Sequence, residues 1–272
     1  MGRLIFLFYL IMNLPNIKAL ILDMDGVLWK ADTPIGDLPA IFDHIQQRGI
    51  KIAFATNNGT RTPTKYVERL AKFGVRVQPW QVITSSLGVV NMLRQKFPEH
   101  TQVFAIGEEG VFAALQENGF IPLSLKEANN AKVVVMGLDH QINFDKIQEA
   151  ALLVRRGIPF YATNPDKTFP TPRGEIPGAG AWISIIITAT GIEPIYAGKP
   201  FPYLIELARE RLGTAKKETL IVGDRLETDI AGGQAAGCPV ALVLSGVSSL
   251  HSGEAWLPKV DLIAKDLASL VE

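Results

Sequence analysis

The sequence predicts an α/β fold built on a mainly parallel β-sheet, and two observations support this prediction. After Asn16, short apolar runs rich in Val and Ile alternate with longer amphipathic stretches. Polar side chains, several of them acidic, follow these runs directly, as they do where strands end at a ligand-binding edge. Eight runs are expected to be strands, at residues 18–22, 51–55, 103–106, 132–136, 158–162, 195–197, 219–222 and 239–244.

Three of the intervening helices have boundaries that the sequence marks. Each begins near a capping residue or a proline and ends at a glycine, which can adopt the left-handed conformation that stops a helix. These helices are expected within residues 37–49, 62–74 and 202–213.

Two segments of the chain nearly repeat each other. Residues 48–57 read RGIKIAFATN, and residues 156–164 read RGIPFYATN. Each follows an amphipathic helix, and we interpret the match as a shared helix–glycine–strand pattern rather than as a duplication. It supports a second α/β layer between residues of roughly 100 and 190.

The composition indicates a globular protein with small ligands. The chain has 272 residues, 47% hydrophobic and 20% charged, enough apolar material for a sizeable core, and two domains are expected. Lys plus Arg and Asp plus Glu number 27 each, and no basic run is interleaved with aromatic residues, so no nucleic-acid partner is expected. The single cysteine, Cys238, excludes an internal disulfide and fits a reducing, cytoplasmic compartment.

Residues 1–13 form an apolar extension ahead of the first predicted strand. The run 4–12 is continuously apolar, but it is too short to span a bilayer, and no small-residue cleavage site follows it. Because translation can begin at Met12, we interpret the segment as a start-site artefact or an unstructured extension. No membrane association is expected.

The strongest chemical signal is the sequence DMDG at residues 23–26. Asp23 and Asp25 follow an apolar strand, and Gly26 lets the chain turn, so both carboxylates can reach one site. One aspartate after a strand is often only a turn or a helix cap. A calcium loop also contains Asp-x-Asp-Gly, but it needs further oxygen ligands at spacings that Asp32 and its neighbours do not supply.

Weaker signals lie downstream. Thr56, Asn57 and Asn58 follow the second strand and offer hydroxyl, amide and backbone donors to a phosphate, although Thr-Asn-Asn-Gly is also an ordinary turn sequence. Lys199 follows a short strand, between a glycine and a proline, where its ammonium can neutralise phosphate charge. A lone lysine is otherwise usually a solvated surface group.

Two more acids follow a strand near the end of the chain. Asp224, next to Gly223, suits a hard cation. Asp229 can orient water or a lysine, or it can simply cap the following helix.

These four elements, in this order, resemble the haloacid dehalogenase (HAD) superfamily. The strings DGVLW, ATNN, ATNPD, VGDxLxTDI and LSGVS are further similar to subfamily IIA, which includes NagD-type, p-nitrophenyl phosphate and pyridoxal phosphate phosphatases. The resemblance covers nearly everything from Leu14 to the end. It implies a doubly wound, Rossmann-like core at residues 14–99 and 193–272, with an inserted α/β cap at residues 100–192.

The resemblance implies a Mg²⁺-dependent phosphatase for small-molecule phosphate monoesters. Suitable substrates would be sugar phosphates, glycerol phosphates, nucleoside monophosphates, pyridoxal phosphate or p-nitrophenyl phosphate. Asp23 would attack phosphorus to form an aspartyl phosphate, while Asp25 would protonate the leaving oxygen and later activate water. The Asp23 carboxylate, the Asp25 backbone carbonyl and Asp224 would hold Mg²⁺.

By the same resemblance, Thr56, Asn57 and Lys199 would bind the phosphate oxygens. Asn58 and Asp229 are expected to support these groups.

The cap would supply substrate specificity. The turn-rich loop at residues 164–172 follows a cap strand, so Asp166, Lys167 and Phe169 are candidate substrate contacts, or the loop is only a rigid surface segment. Caps of this family often form dimers, which implies a homodimer here.

Three other functions compete with the phosphatase. A dehalogenase would need no magnesium and usually lacks the second acid, so Asp25 argues against it. A phosphomutase shares the catalytic core and stays open as an alternative. A phosphate sensor without turnover also stays open, although it would not need the complete set of catalytic groups.

Overall fold

The computed structural model describes residues 16–171 and 173–271. The expectations for residues 1–13 therefore lie outside the described residues. Within the described part of the chain, none of the helices combines the length and the apolar character that crossing a bilayer requires.

The strands of the described residues include all eight predicted apolar runs. They are β1 (Ala19–Leu22), β2 (Trp29–Lys30), β3 (Thr33–Pro34), β4 (Lys51–Thr56), β5 (Val82–Thr84), β6 (Gln102–Ile106), β7 (Ile121–Leu123), β8 (Val133–Met136), β9 (Phe160–Ala162), β10 (Thr168–Thr171), β11 (Gly174–Pro177), β12 (Ile195–Tyr196), β13 (Thr219–Gly223), β14 (Val240–Val243) and β15 (Leu262–Ala264).

The α-helices alternate with these strands. They are α1 (Leu38–Gln47), α2 (Pro63–Lys72), α3 (Ser85–Arg94), α4 (Glu109–Glu117), α5 (Phe144–Arg155), α6 (Ala179–Thr190), α7 (Tyr203–Leu212), α8 (Ala231–Ala235), α9 (Leu250–Ala255) and α10 (Leu267–Val271). A π-helical turn, Leu226–Ile230, precedes α8.

The chain divides into two compact units. Unit 1 runs up to Ala55 and also contains Tyr66–Ile83 and all residues from Lys199 onward. Unit 2 consists of Thr56–Lys65 and Thr84–Gly198.

Unit 1 contains a six-stranded sheet in the order β15-β14-β13-β1-β4-β5. β1 pairs in parallel with both β4 and β13. The chain thus places β4 and β5 on one side of β1, and later β13, β14 and β15 on the other side. The boundary between β1 and β13 is therefore the switch point where doubly wound folds bind ligands.

Alternate residues of β1 face two different apolar clusters. Leu20 and Leu22 belong to the cluster that contains the buried residues of α1 and α10. Ala19 and Ile21 belong to the cluster that contains those of α7. Both faces of the sheet are covered, as expected for a parallel sheet whose strands are apolar on both sides.

Unit 2 contains its own five-stranded sheet in the order β12-β9-β8-β6-β7. The strands pair in parallel, and buried residues of α5 and α6 cover one face while those of α3 and α4 cover the other. The antiparallel hairpin β10–β11 follows β9. The second predicted α/β layer is present as this unit.

The predicted elements are confirmed, with ends that shift by one or two residues. All eight predicted strands are present. Asp37 caps α1, since its carboxylate accepts a hydrogen bond from the Ala40 N–H at 3.2 Å. Gly213 ends α7 in the left-handed conformation, with φ of 64°. The strands that the sequence did not predict have two to four residues, too few to show a period.

The structure differs from the sequence expectations in two places. Residues 56–65, 84–99 and 193–198 were expected in the core, whereas they belong to unit 2. In that unit α3 packs with α4, and β12 pairs with β9. The expected loop at residues 164–172 instead contains β10, since its backbone pairs with β11 from Thr168 to Thr171. The Pro and Thr residues within β10 are compatible with a strand at the edge of a short hairpin.

Candidate active site

Asp23 and Asp224 lie at the switch point of the unit 1 sheet. Each directly follows a central strand, Asp23 after β1 and Asp224 after β13. The Asp23 N–H donates to the Val222 carbonyl at 2.8 Å, which continues the strand pairing to the sheet edge. Asp23, Asp224 and Asp229 each place a carboxylate oxygen within 4.8 Å of the other two.

Lys199 lies among these acids. Its ammonium donates to Oδ1 of Asp23 at 2.7 Å, to Oδ1 of Asp229 at 2.5 Å and to the Ala55 carbonyl at 2.7 Å. The side chains of Lys199 and Asp229 are each 3% exposed, and that of Asp23 is 13% exposed. Lys199 is therefore a buried counter-ion rather than a solvated surface lysine.

The protonation behaviour of the site follows from burial and charge. Burial raises the pKa of Asp23 well above its usual value; Lys199 opposes this shift, whereas Asp229 and Asp224 add to it. Burial, with the charge of Asp229, raises the pKa of Asp224 to about 6. Burial disfavours the charged form of Lys199 and lowers its pKa. The negative charges of Asp229 and Asp23 raise it by more, so the pKa of Lys199 lies above its usual range.

Glycines let the backbone approach the buried carboxylates closely. A Cβ atom on Gly26 would lie 2.5 Å from Oδ2 of Asp224, and one on Gly246 would lie 1.9 Å from the same oxygen. The Val247 N–H donates to that oxygen at 2.8 Å. The loop after β14, which contains the LSGVS string, thus fixes the orientation of Asp224.

Asp229 is held in a different way. Its Oδ1 accepts from Lys199, and its Oδ2 accepts from the Arg225 N–H at 3.0 Å. Because both oxygens are engaged, Asp229 is suited to orient Lys199.

The donor set fits a hard divalent cation. Three carboxylates face one ammonium, so the fully ionised cluster carries excess negative charge, and every available ligand atom is oxygen. No hydrogen-bond donor of the described residues contacts Oδ1 of Asp224, which leaves that oxygen available as a ligand.

Asp25 is the exposed acid of the DMDG sequence. Its Oδ1 accepts a hydrogen bond from the indole N–H of Trp29 at 2.8 Å. Trp29 was part of the recognised DGVLW string, but its sequence position alone assigned it no role.

Thr56, the last residue of β4, forms a turn in unit 2 with Asn57 and Asn58. Thr56 and Asn57 are buried, and Asn58 is partly exposed. The Thr56 hydroxyl accepts from the Asn58 N–H at 3.1 Å. The Asn58 side chain accepts from the Thr60 N–H at 3.1 Å and from the Thr60 hydroxyl at 2.6 Å. Asn58 therefore shapes the turn.

Asn57 is held by Asp166 and by two residues, Ser85 and Asn164, to which the sequence alone assigned no role. Its carbonyl accepts from the Ser85 hydroxyl at 2.6 Å and from Nδ2 of Asn164 at 2.8 Å. Its own Nδ2 donates to both carboxylate oxygens of Asp166, at 3.1 and 3.2 Å. The repeated Ala-Thr-Asn ending of β4 and β9 was the available signal for Asn164.

The three candidate substrate contacts have different surroundings. The Asp166 carboxylate faces Asn57, as described above, and its N–H donates to Oδ1 of Asn164 at 3.1 Å. Lys167 is exposed. Phe169 is half-buried and pairs with Ile176 in the β10–β11 hairpin. Asp166 thus contacts a predicted phosphate-binding residue, Asn57.

Two family models match the chain. One, described as haloacid dehalogenase-like hydrolase, matches residues 20–121, and a HAD-hydrolase-like model matches residues 196–270. The matched segments contain the DMDG sequence and, downstream, the lysine and the two acids of the site.

Curated and structural relatives agree with these matches. An acid sugar phosphatase of Staphylococcus aureus is 35% identical over 234 residues, which cover 86% of this chain and 89% of the relative. NagD from E. coli K-12 is 32% identical with a TM-score of 0.85, and the alignment covers 93% of this chain and 98% of NagD.

A third relative was solved with metal ions. It is a glycerol phosphate phosphatase from Mycobacterium tuberculosis in complex with magnesium, 32% identical, with a TM-score of 0.87, covering 94% of this chain and 76% of that one. The same protein was also solved with calcium. Together with the motifs and the fold, these matches establish that the chain belongs to the haloacid dehalogenase-like hydrolases, in subfamily IIA, and is a hydrolase of the phosphoric monoester class.

Proposed function

We propose that this hydrolase is a Mg²⁺-dependent phosphatase that acts on small phosphate monoesters through an aspartyl phosphate on Asp23. The observation that carries the proposal is the contact between Lys199 and Asp23. A carboxylate without a nearby cation would be a poor nucleophile toward an anion. The buried ammonium of Lys199, 2.7 Å from Asp23, offsets this charge repulsion.

In the proposed reaction, a carboxylate oxygen of Asp23 attacks phosphorus, and the bond from phosphorus to the leaving oxygen breaks. Asp25 gives a proton to that oxygen. Asp25 then takes a proton from water as the water attacks phosphorus and releases Asp23. Lys199, oriented by Asp229, stabilises negative charge on the transferred group.

Asp23, the backbone carbonyl of Asp25 and Asp224 would hold Mg²⁺. The ion would supply positive charge that favours binding of a phosphate dianion. The oxygen ligands and their excess negative charge support this assignment, and so does the magnesium complex of the glycerol phosphate phosphatase.

Thr56 and Asn57 are proposed to bind phosphate oxygens through the hydroxyl and the backbone N–H. The network of Ser85 and Asn164 around the Asn57 carbonyl supports this role, because it immobilises the backbone that would contact the substrate.

We further propose that unit 2 acts as the specificity cap, with Asp166, Lys167 and Phe169 as candidate contacts to the leaving group. The names of the relatives favour sugar phosphates or glycerol phosphates as substrates. Hydrolysis of a panel of phosphate esters, followed as released inorganic phosphate, identifies the preferred class and separates a phosphatase from a phosphomutase.

A homodimer through unit 2 is part of the proposal. Exposed apolar side chains on α5 and α6 support it, namely Phe144 at 75%, Leu152 at 49% and Ile185 at 41% exposure. Light scattering that compares Phe144→Ser with the unchanged protein tests it.

The free, buried Cys238 is consistent with a cytoplasmic location.

The central test is hydrolysis of p-nitrophenyl phosphate with and without Mg²⁺. Asp23→Asn should lower kcat by about a thousandfold or more, as expected when a nucleophile is removed. Asp37→Asn is the matched control, because it makes the same chemical change at a helix cap where Asn serves equally well. Undiminished turnover by Asp23→Asn, with Mg²⁺ present, would reject the mechanism.

A further inference from the structure

Trp29 is fully buried, yet its one polar atom contacts an exposed acid. The side chain has 0% exposure, and its indole N–H donates to Oδ1 of Asp25 at 2.8 Å. A buried indole N–H needs a partner, and here the partner is the carboxylate that the proposed reaction uses for proton transfer.

The backbone turns after residue 25, so that residue 29 lies beside it. The Leu28 N–H donates to the Met24 carbonyl at 2.8 Å, and the Gly26 N–H donates to the Trp29 carbonyl at 2.8 Å. This tight loop makes the contact between Trp29 and Asp25 a property of the local fold.

Two neighbours fix the plane of the indole ring. The guanidinium of Arg69 lies 4.3 Å from the ring centroid, and the ring of Phe73 lies 5.9 Å away. Arg69 also donates to the Ala31 carbonyl and lies 3.5 Å from the Asp32 carboxylate. Because the ring cannot turn, the direction of its N–H is fixed.

We propose that Trp29 is a positioning residue for Asp25 in the reaction proposed above. With Oδ1 held by the indole, Oδ2 is the oxygen that carries the transferred proton. Trp29 therefore fixes which oxygen acts and where it points. This inference rests on the proposed phosphatase function and adds a residue to it.

The kinetic test uses two aryl substrates of similar shape, p-nitrophenyl phosphate and phenyl phosphate. kcat/KM reports on the steps up to departure of the leaving group. Phenolate is a poorer leaving group than p-nitrophenolate, so phenyl phosphate depends more on the proton from Asp25. Trp29→Phe removes the N–H and should lower kcat/KM roughly tenfold for phenyl phosphate, a factor typical of a lost hydrogen bond to a charged group, and much less for p-nitrophenyl phosphate.

Phe73→Leu is the packing control. It changes a contact of the Trp29 ring but leaves the N–H in place, so it should affect both substrates alike. If Trp29→Phe lowers kcat/KM equally for both substrates, or not at all, the positioning role is overturned. The phosphatase function itself is tested separately by Asp23→Asn.

A second measurement needs neither activity nor metal. The chain has four tryptophans, so four indole N–H resonances are expected in the NMR spectrum, and Trp29→Phe identifies one of them. That resonance should move upfield in Asp25→Ala, because the hydrogen bond to the carboxylate is lost. A resonance that does not move would overturn the proposal, even if Trp29→Phe proved too unstable for kinetics.

Discussion

Nζ of Lys199 lies 2.5 Å from Oδ1 of Asp229, and both side chains are only 3% exposed. A buried ion pair adds little folding stability compared with apolar residues of the same shape. Removal of one partner is nevertheless strongly destabilising, because the other charge is then buried without compensation. The pair is therefore a costly arrangement that is retained beside the predicted nucleophile.

Lys199→Met should destabilise the metal-free protein strongly. It removes the ammonium from between Asp23 and Asp229, and we expect the free energy of unfolding to fall by about 3 kcal/mol. Urea unfolding measures this change. In Lys199→Met/Asp229→Asn the loss should be smaller than the sum of the two single changes, because one of the orphaned charges is gone. Additive losses would contradict the coupling.

Gly26→Ala should impair the site beyond its backbone cost. Gly26 and Gly49 both have positive φ, 85° and 68°, so alanine at either costs about 1 kcal/mol in strain. Only at Gly26 would the new Cβ lie 2.5 Å from Asp224, since nothing lies within 4 Å of the position at Gly49. Turnover at saturating Mg²⁺ should therefore fall at least about tenfold in Gly26→Ala and stay normal in Gly49→Ala.

Asp224→Asn should stabilise the chelator-treated protein above neutral pH. The pKa of Asp224 rises on folding from 3.8 to about 6, so the folded state binds the proton more tightly. Stability consequently falls as pH rises through this interval, and ionised Asp224 then costs on the order of 3 kcal/mol. Asn removes this cost.

Thermal unfolding over a pH series measures the difference between Asp224→Asn and the unchanged protein. The two should converge below pH of about 4, where the carboxyl is protonated in both the folded and the unfolded chain. Added Mg²⁺ should raise the Tm of the unchanged protein only. A variant that is less stable at every pH would refute the argument.

Ser85→Ala should weaken substrate binding through the Asn57 turn. The buried Ser85 hydroxyl donates to the Asn57 carbonyl, and its loss should raise KM severalfold and cost about 1 kcal/mol of stability. Ser184→Ala is the matched control, because its hydroxyl also donates to a carbonyl, that of Ala181, but on an exposed helix face. Equal effects of the two changes would refute the role of the turn.

Much of the fold could be predicted because local rules suffice for it. The apolar period identified every long strand, and capping residues identified the limits of α1 and α7. The hairpin of Thr168–Thr171 with Gly174–Pro177 was not predictable, since pairing of such short segments depends on a partner strand rather than on periodicity.

The site was predictable in its acids and less so in its supporting groups. Asp23 and Asp224 follow strands, and strand ends are visible in sequence. Ser85 and Asn164 act through contacts with Asn57, which lies far from them in the sequence, and such contacts have no local pattern.

By itself, the sequence determined the α/β class, the strand ends that carry the acids, and the family, because periodicity and short motifs are properties of neighbouring residues. The tertiary structure alone decided that Lys199 is buried between Asp23 and Asp229. Burial and charge compensation depend on segments far apart in the chain, and only the folded sheet brings those segments within hydrogen-bonding distance.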